Sequence, residues 1–130
     1  MGVVSDTLTP DLDISFELNA FAPRLARHRL EEVGHLAPDL RDAVSLLTSD
    51  LVTRAVRACP SGAGPQAQLS AWMPSEFVRV ELRAPYALLP AGGDAECSPY
   101  ERALLDQVAD RWSTDGGKQT VCMWFEIDLG

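Results

Sequence analysis

The chain has 130 residues, 46% of them hydrophobic and 23% charged, with a formal net charge of −8. That length suits one domain with an adequate core. The negative field opposes phosphate backbones and anionic lipid surfaces, so neither nucleic acid nor a membrane is an expected partner. No apolar run is long enough to cross a bilayer, and Asp6, Asp11, Asp13 and Glu17 occupy the start where a secretory leader would be basic and then apolar. A cytoplasmic location is the expectation. Of the eleven basic residues only Lys118 is a lysine, so anion contacts would be made by guanidinium groups. Cys59, Cys97 and Cys122 have no Cys-x-x-Cys spacing and read as reduced thiols. His28 and His35 lack a third metal ligand nearby in sequence and read as exposed histidines.

Residues 1–12 are expected to form a loose N-terminal segment ahead of a single domain over residues 13–130. From Asp13, Ile14, Phe16 and Leu18 alternate with polar residues, which predicts a half-buried strand. Pro23 then opens a helix whose apolar stripe is Ala22, Leu25, Ala26, Leu30 and Val33, ended by Gly34. The best-patterned stretch follows, from Leu40 to about Cys59. Leu40, Ala43, Val44, Leu47, Leu51, Ala55 and Ala58 recur at helical spacing, Asp39 is the expected N-cap, and the Pro- and Gly-rich segment 60–65 stops the helix.

Alternation over 66–73 and 78–83, separated by Pro74-Ser75-Glu76, predicts two strands in a hairpin. The segment 84–97 has no periodicity and is long enough to be a lid or binding loop. Ser98-Pro99-Tyr100-Glu101 carries an N-cap, a first-turn proline and a capping-box glutamate. The helix it starts would bury Leu104, Leu105, Val108, Ala109 and Trp112. Asp115-Gly116-Gly117 turns the chain into a last strand from about Thr120 to Leu129. The resulting expectation is a two-layer α/β (α+β) sandwich with a mostly antiparallel, mixed four-stranded sheet and three helices on one face.

This element order and four local stretches resemble the anti-sigma factor/serine-protein kinase family of the GHKL ATPase superfamily, which has the Bergerat fold. Ser49-Asp50-Leu51-Val52-Thr53-Arg54-Ala55-Val56-Arg57 is similar to the family's N-box, and Val78 to Arg83 is similar to the strand entering its G1 box. Leu105 to Trp112 resembles the helix behind its G2 box, and Gly116-Gly117-Lys118 precedes the last strand as in the family.

The resemblance implies an ATP and Mg²⁺ site, but the matching residues lack its chemistry. Arg54 stands where an asparagine oxygen would bind Mg²⁺, and a guanidinium has donors only. Asp50 shortens the N-box carboxylate, and the bland account of Asp50 and Arg54 is a surface ion pair one helical turn apart. Ala84 replaces the carboxylate that would read adenine. Pro99 to Arg102, with Glu101 adding negative charge, replaces the glycine-rich phosphate cradle. Thr120 matches the last-strand threonine of the family's pocket, within a register uncertainty of two residues.

The leading expectation is therefore a regulatory protein without cofactor or catalysis. It would bind a protein such as a sigma factor or an anti-anti-sigma-like partner, with a homodimer as one option. Trp72 and Trp124 are either partner-binding anchors on an open sheet face or residues packed under a terminus or loop. Two alternatives stay open. One is an ATP-binding serine-protein kinase in which Arg54 holds the triphosphate and Asp50 activates the acceptor. The other is a small-molecule sensor using the former pocket beneath segment 84–97.

Overall fold

A computed structural model describes residues 9–33, 36–57, 66–85, 99–116 and 120–129, with the backbone alone at 99–102 and 116. In chain order the elements are β1 (Leu12–Glu17), α1 (Ala22–Val33), α2 (Pro38–Arg57), β2 (Gln66–Trp72), β3 (Phe77–Pro85), α3 (Pro99–Val108), β4 (Arg111–Gly116) and β5 (Thr120–Asp128). The strands form one sheet in the order β1-β2-β3-β5-β4, and every neighbouring pair is antiparallel. The α+β class is as expected. Among the described residues, however, the sheet has five strands instead of four and contains no parallel pairing.

The fifth strand takes in Arg111 and Trp112 from the expected end of the last helix and runs on into the expected turn. α3 ends at Val108, with the Ala109 amide closing on the Leu105 carbonyl, and the Asp110 amide already donates to Glu126 on β5. Trp112 thus belongs to β4, opposite Phe125. It packs on the core either way, one turn after Val108 on a helix or on the inward face of a strand. Its apolar character alone does not separate the two. β4 also runs through Asp115 and Gly116, which were expected to turn the chain; Gly117 lies outside the described residues.

Two details of the helices also differ. Leu25 is exposed, because the buried stripe of α1 is Ala22, Ala26 and Leu30, and Leu25 sits about a quarter turn to one side of it. α2 begins at Pro38, with the Arg41 amide bonded to the Ala37 carbonyl. Asp39 therefore lies in the first turn, where its charge favours the helix dipole, and is not the cap. The end of the predicted helix at Ala58 and Cys59, the breaker 60–65, Gly34, His35, segment 86–97 and Ser98 lie outside the described residues.

The alternation of the strands divides the molecule. Leu12 and Phe16 of β1, Leu69 and Ala71 of β2, Val78, Val80 and Leu82 of β3, and Met123 and Phe125 of β5 turn to one face. There they form a single core with Ala26, Leu30, Leu47, Leu51 and Leu105 of the helices. α2 contacts α1, α3 and β3, which explains why its buried face is wider than its apolar stripe and takes in Ser45, Thr48, Val52 and Arg54. The other sheet face carries polar and charged side chains.

Candidate functional site

The inward side of the fold holds three of the positions singled out in the sequence. Arg54, near the end of α2, is 7% exposed and directs Nη1 to within 3.8 Å of the Met123 sulfur on β5. Asp50, one turn earlier, is half-buried. Thr53, between them, donates its hydroxyl to the Ser49 carbonyl at 2.7 Å, a bond internal to the helix. Ala84 is buried opposite Val121, so its methyl joins the core and offers no acceptor to a base. The Ser45 and Thr48 hydroxyls are buried on α2 without a hydrogen-bond partner among the described residues. Sequence pattern alone did not single them out.

Thr120 is not brought to this group. It is exposed and pairs with Pro85, while its neighbour Val121 points into the core, so Thr120 belongs to the outward sheet face. The side chain of Glu101 lies outside the described residues. His28 is exposed on α1, and no group of three or more His, Cys, Asp or Glu side chains among the described residues could hold a metal ion. No helix among them is long and apolar enough to cross a membrane.

The outward face holds a linked series of ion pairs among the described residues. Arg79, Glu81 and Arg83 alternate along β3 and so share this face. Glu81 is only 2% exposed and accepts from Arg79 Nε and Arg83 Nη2, each at 2.7 Å. Arg79 Nη1 also donates to Glu126 Oε2 at 2.7 Å, and Arg111 Nε donates to Glu126 Oε1 at 2.8 Å. Arg111 closes the series on the Asp128 carboxylate. Three strands in register, β3, β5 and β4, thus align Arg83, Glu81, Arg79, Glu126, Arg111 and Asp128 as an alternating chain of charges. The Arg-Glu-Arg alternation was visible on β3; Glu126, Arg111 and Asp128 joined it only through the register.

Electrostatics follow this geometry. Burial pulls the Arg79 pKa down, but its bonds to Glu126 and Glu81 outweigh that and raise it. Burial pushes the Glu126 carboxyl up, but hydrogen bonds from Arg111 and Arg79 hold it below its ordinary value. Arg111 is raised by its bonds to Asp128 and Glu126. Cys122, on the same face beside Glu81, is pushed up to about 11, first by burial and then by that carboxylate. It is a free thiol; Cys59 and Cys97 lie outside the described residues.

The two tryptophans differ. Trp124 is half-buried, with the Arg79 guanidinium 4.3 Å from its ring centre and its Nε1–H bonded to Asp115 Oδ2 at 3.1 Å. Trp72 is 3% exposed and presents almost no surface, so it does not serve as an exposed anchor in this conformation. Beyond them, a groove of about 260 Å³ opens on the outward face, lined by Ser15, Gln66, Ala67, Gln68, Arg83, Ala84, Pro85 and Thr120. No family model matches the chain, and no curated protein matches it.

Proposed function

We propose that the chain is a regulatory protein of the anti-sigma factor/serine-kinase-like type that acts by binding another protein, such as a sigma factor or an anti-anti-sigma-like partner, with ATP binding and kinase activity lost. The observation that carries this reading is the burial of Arg54. The position that would hold the Mg²⁺ ligand in the resembling family bears a cation turned inward against Met123. A guanidinium there repels Mg²⁺ and takes up room between helix and sheet. The apolar Ala84 methyl supports the reading from the adenine side, since a base amino group facing it would lose a hydrogen bond at a cost of about 1–3 kcal/mol. Phe21, Leu25 and Leu46 are the exposed large hydrophobic side chains among the described residues and offer apolar contacts to a protein partner on the helical side.

Titration of the whole chain with labelled ATP, with and without Mg²⁺, tests the proposal. No saturation is expected up to about 100 μM. Saturable, Mg²⁺-dependent binding below that concentration would favour the kinase reading, with Arg54 on the triphosphate and Asp50 on the acceptor hydroxyl.

A further inference from the structure

The groove on the outward face is built from two adjacent cross-strand rows. Ser15 of β1 pairs with Gln68 of β2, which pairs with Arg83 of β3. Two residues along each strand, and therefore on the same face, are Gln66 and Pro85, and Pro85 pairs with Thr120 of β5. Ala67 and Ala84 lie between the rows with their side chains in the core, so they contribute the floor. The result is a concavity with one guanidinium, two hydroxyls and two carboxamides along its walls.

The guanidinium is fixed in place. Arg83 is 37% exposed, and its Nη2 is tied to Glu81, whose other oxygen is held by Arg79. Among the described residues Nη2 is the one nitrogen of Arg83 that is bonded, which leaves Nε and Nη1 for a ligand. A planar fork with one side anchored to a buried carboxylate is pre-oriented for a second carboxylate. Arg83 is also the cationic end of the alternating charge chain. Arg79, the next cation, is already shared between Glu81 and Glu126.

We infer that this groove is a binding site for a small, hydroxylated monocarboxylate, with the carboxylate on Arg83 and its hydroxyls on Ser15, Gln66 and Thr120. One available cation balances one negative charge. Glu17 is exposed beside the groove, opposite Gln66, and disfavours a dianion such as a phosphate ester. The volume of about 260 Å³ lies just below the usual range of about 300–1,000 Å³ for ligand pockets and favours a ligand smaller than a nucleotide. Gln68 donates one of its two Nε2 hydrogens to Asp13 at 2.8 Å, which orients its Oε1 as a further acceptor beside Ser15, Gln66 and Thr120. This site shares only the floor residue Ala84 with the inward group, lies on the sheet face away from Asp50 and Arg54, and does not depend on the proposed regulatory function.

The test is a titration of the isotope-labelled whole chain by ¹H–¹⁵N NMR with sodium glycerate, sodium propionate and inorganic phosphate, following backbone amides and the arginine Nε–H signals. Glycerate is expected to give saturable shifts centred on Ser15, Gln66, Arg83 and Thr120, with propionate weaker. Phosphate is expected to give none up to about 10 mM. Arg83→Gln should weaken glycerate by about tenfold or more, the loss of one charge-assisted contact. Thr120→Val changes an exposed side chain and keeps the fold testable if Arg83→Gln does not fold. It should weaken glycerate while leaving propionate unchanged. No saturable glycerate shift by about 10 mM, shifts centred elsewhere, phosphate binding as tightly as glycerate, or unchanged affinity in both variants would each overturn the inference.

Discussion

Arg54 and Glu81 are both charged side chains taken out of water. Glu81 keeps two guanidinium partners at 2.7 Å, so its burial is supported by charge-assisted bonds. Removing it leaves Arg79 and Arg83 facing each other across a vacated site. Glu81→Ala is therefore expected to destabilise the fold by about 3–5 kcal/mol, against less than about 0.5 for Ala at the exposed Glu76, measured by chemical denaturation. Cys122 provides a second residue-scale check. Folded-state burial holds its thiol neutral, so alkylation mapped to Cys122 at pH about 8 should be much slower in the native chain than in the denatured one. Arg54 was recognisable in the sequence as a misfit to the N-box it resembles. Its inward direction was not, because helical spacing places Arg54 on a face without saying which neighbour covers that face.

At the scale of elements, α1, α2, the β2–β3 hairpin and β5 were legible from periodicity, since each has one buried face and a regular repeat. α3 and β4 were not separable in sequence. The helix signal ran from Leu104 to Trp112, and Trp112 suits the core from a strand as well as from a helix. Pairing with β5 decided the matter, because Asp110 to Gly116 satisfies its backbone groups against a strand that is itself held by β3. Leu25 shows the same limit on a smaller scale, as an apolar residue at helical spacing that faces solvent. Leu25→Ala should change stability by no more than about 0.5 kcal/mol, whereas Leu30→Ala on the buried stripe should cost about 2–5 kcal/mol; thermal or urea unfolding of the two variants distinguishes them.

For the molecule as a whole, the sheet separates an apolar helical side from a charged outward side, and pH acts mainly on the latter. Glu126 has a folded pKa below its ordinary 4.5, so its contribution to stability is present above that pH and is lost as the pH falls through the lowered value. Cys122 has a folded pKa raised from 9.0 to about 11. Its contribution is complete below 9.0 and is lost as the pH rises through about 11. Urea-unfolding stability should consequently decline at both ends, below pH 4.5 and above pH 9.0, with Glu126→Gln flattening the acid limb and Cys122→Ser the alkaline one.

By itself the sequence determined the α+β class, the core-facing residues of most elements and the side-chain types at the positions of the resemblance. These follow from local period and from the chemical nature of single side chains. Only the tertiary structure decided the fifth strand, the inward burial of Arg54, the assignment of Thr120 to the outward face and the union of six charges from β3, β4 and β5 into one chain beside a groove. Those depend on strand register, and register is set by pairings between residues far apart in sequence, which no local pattern encodes.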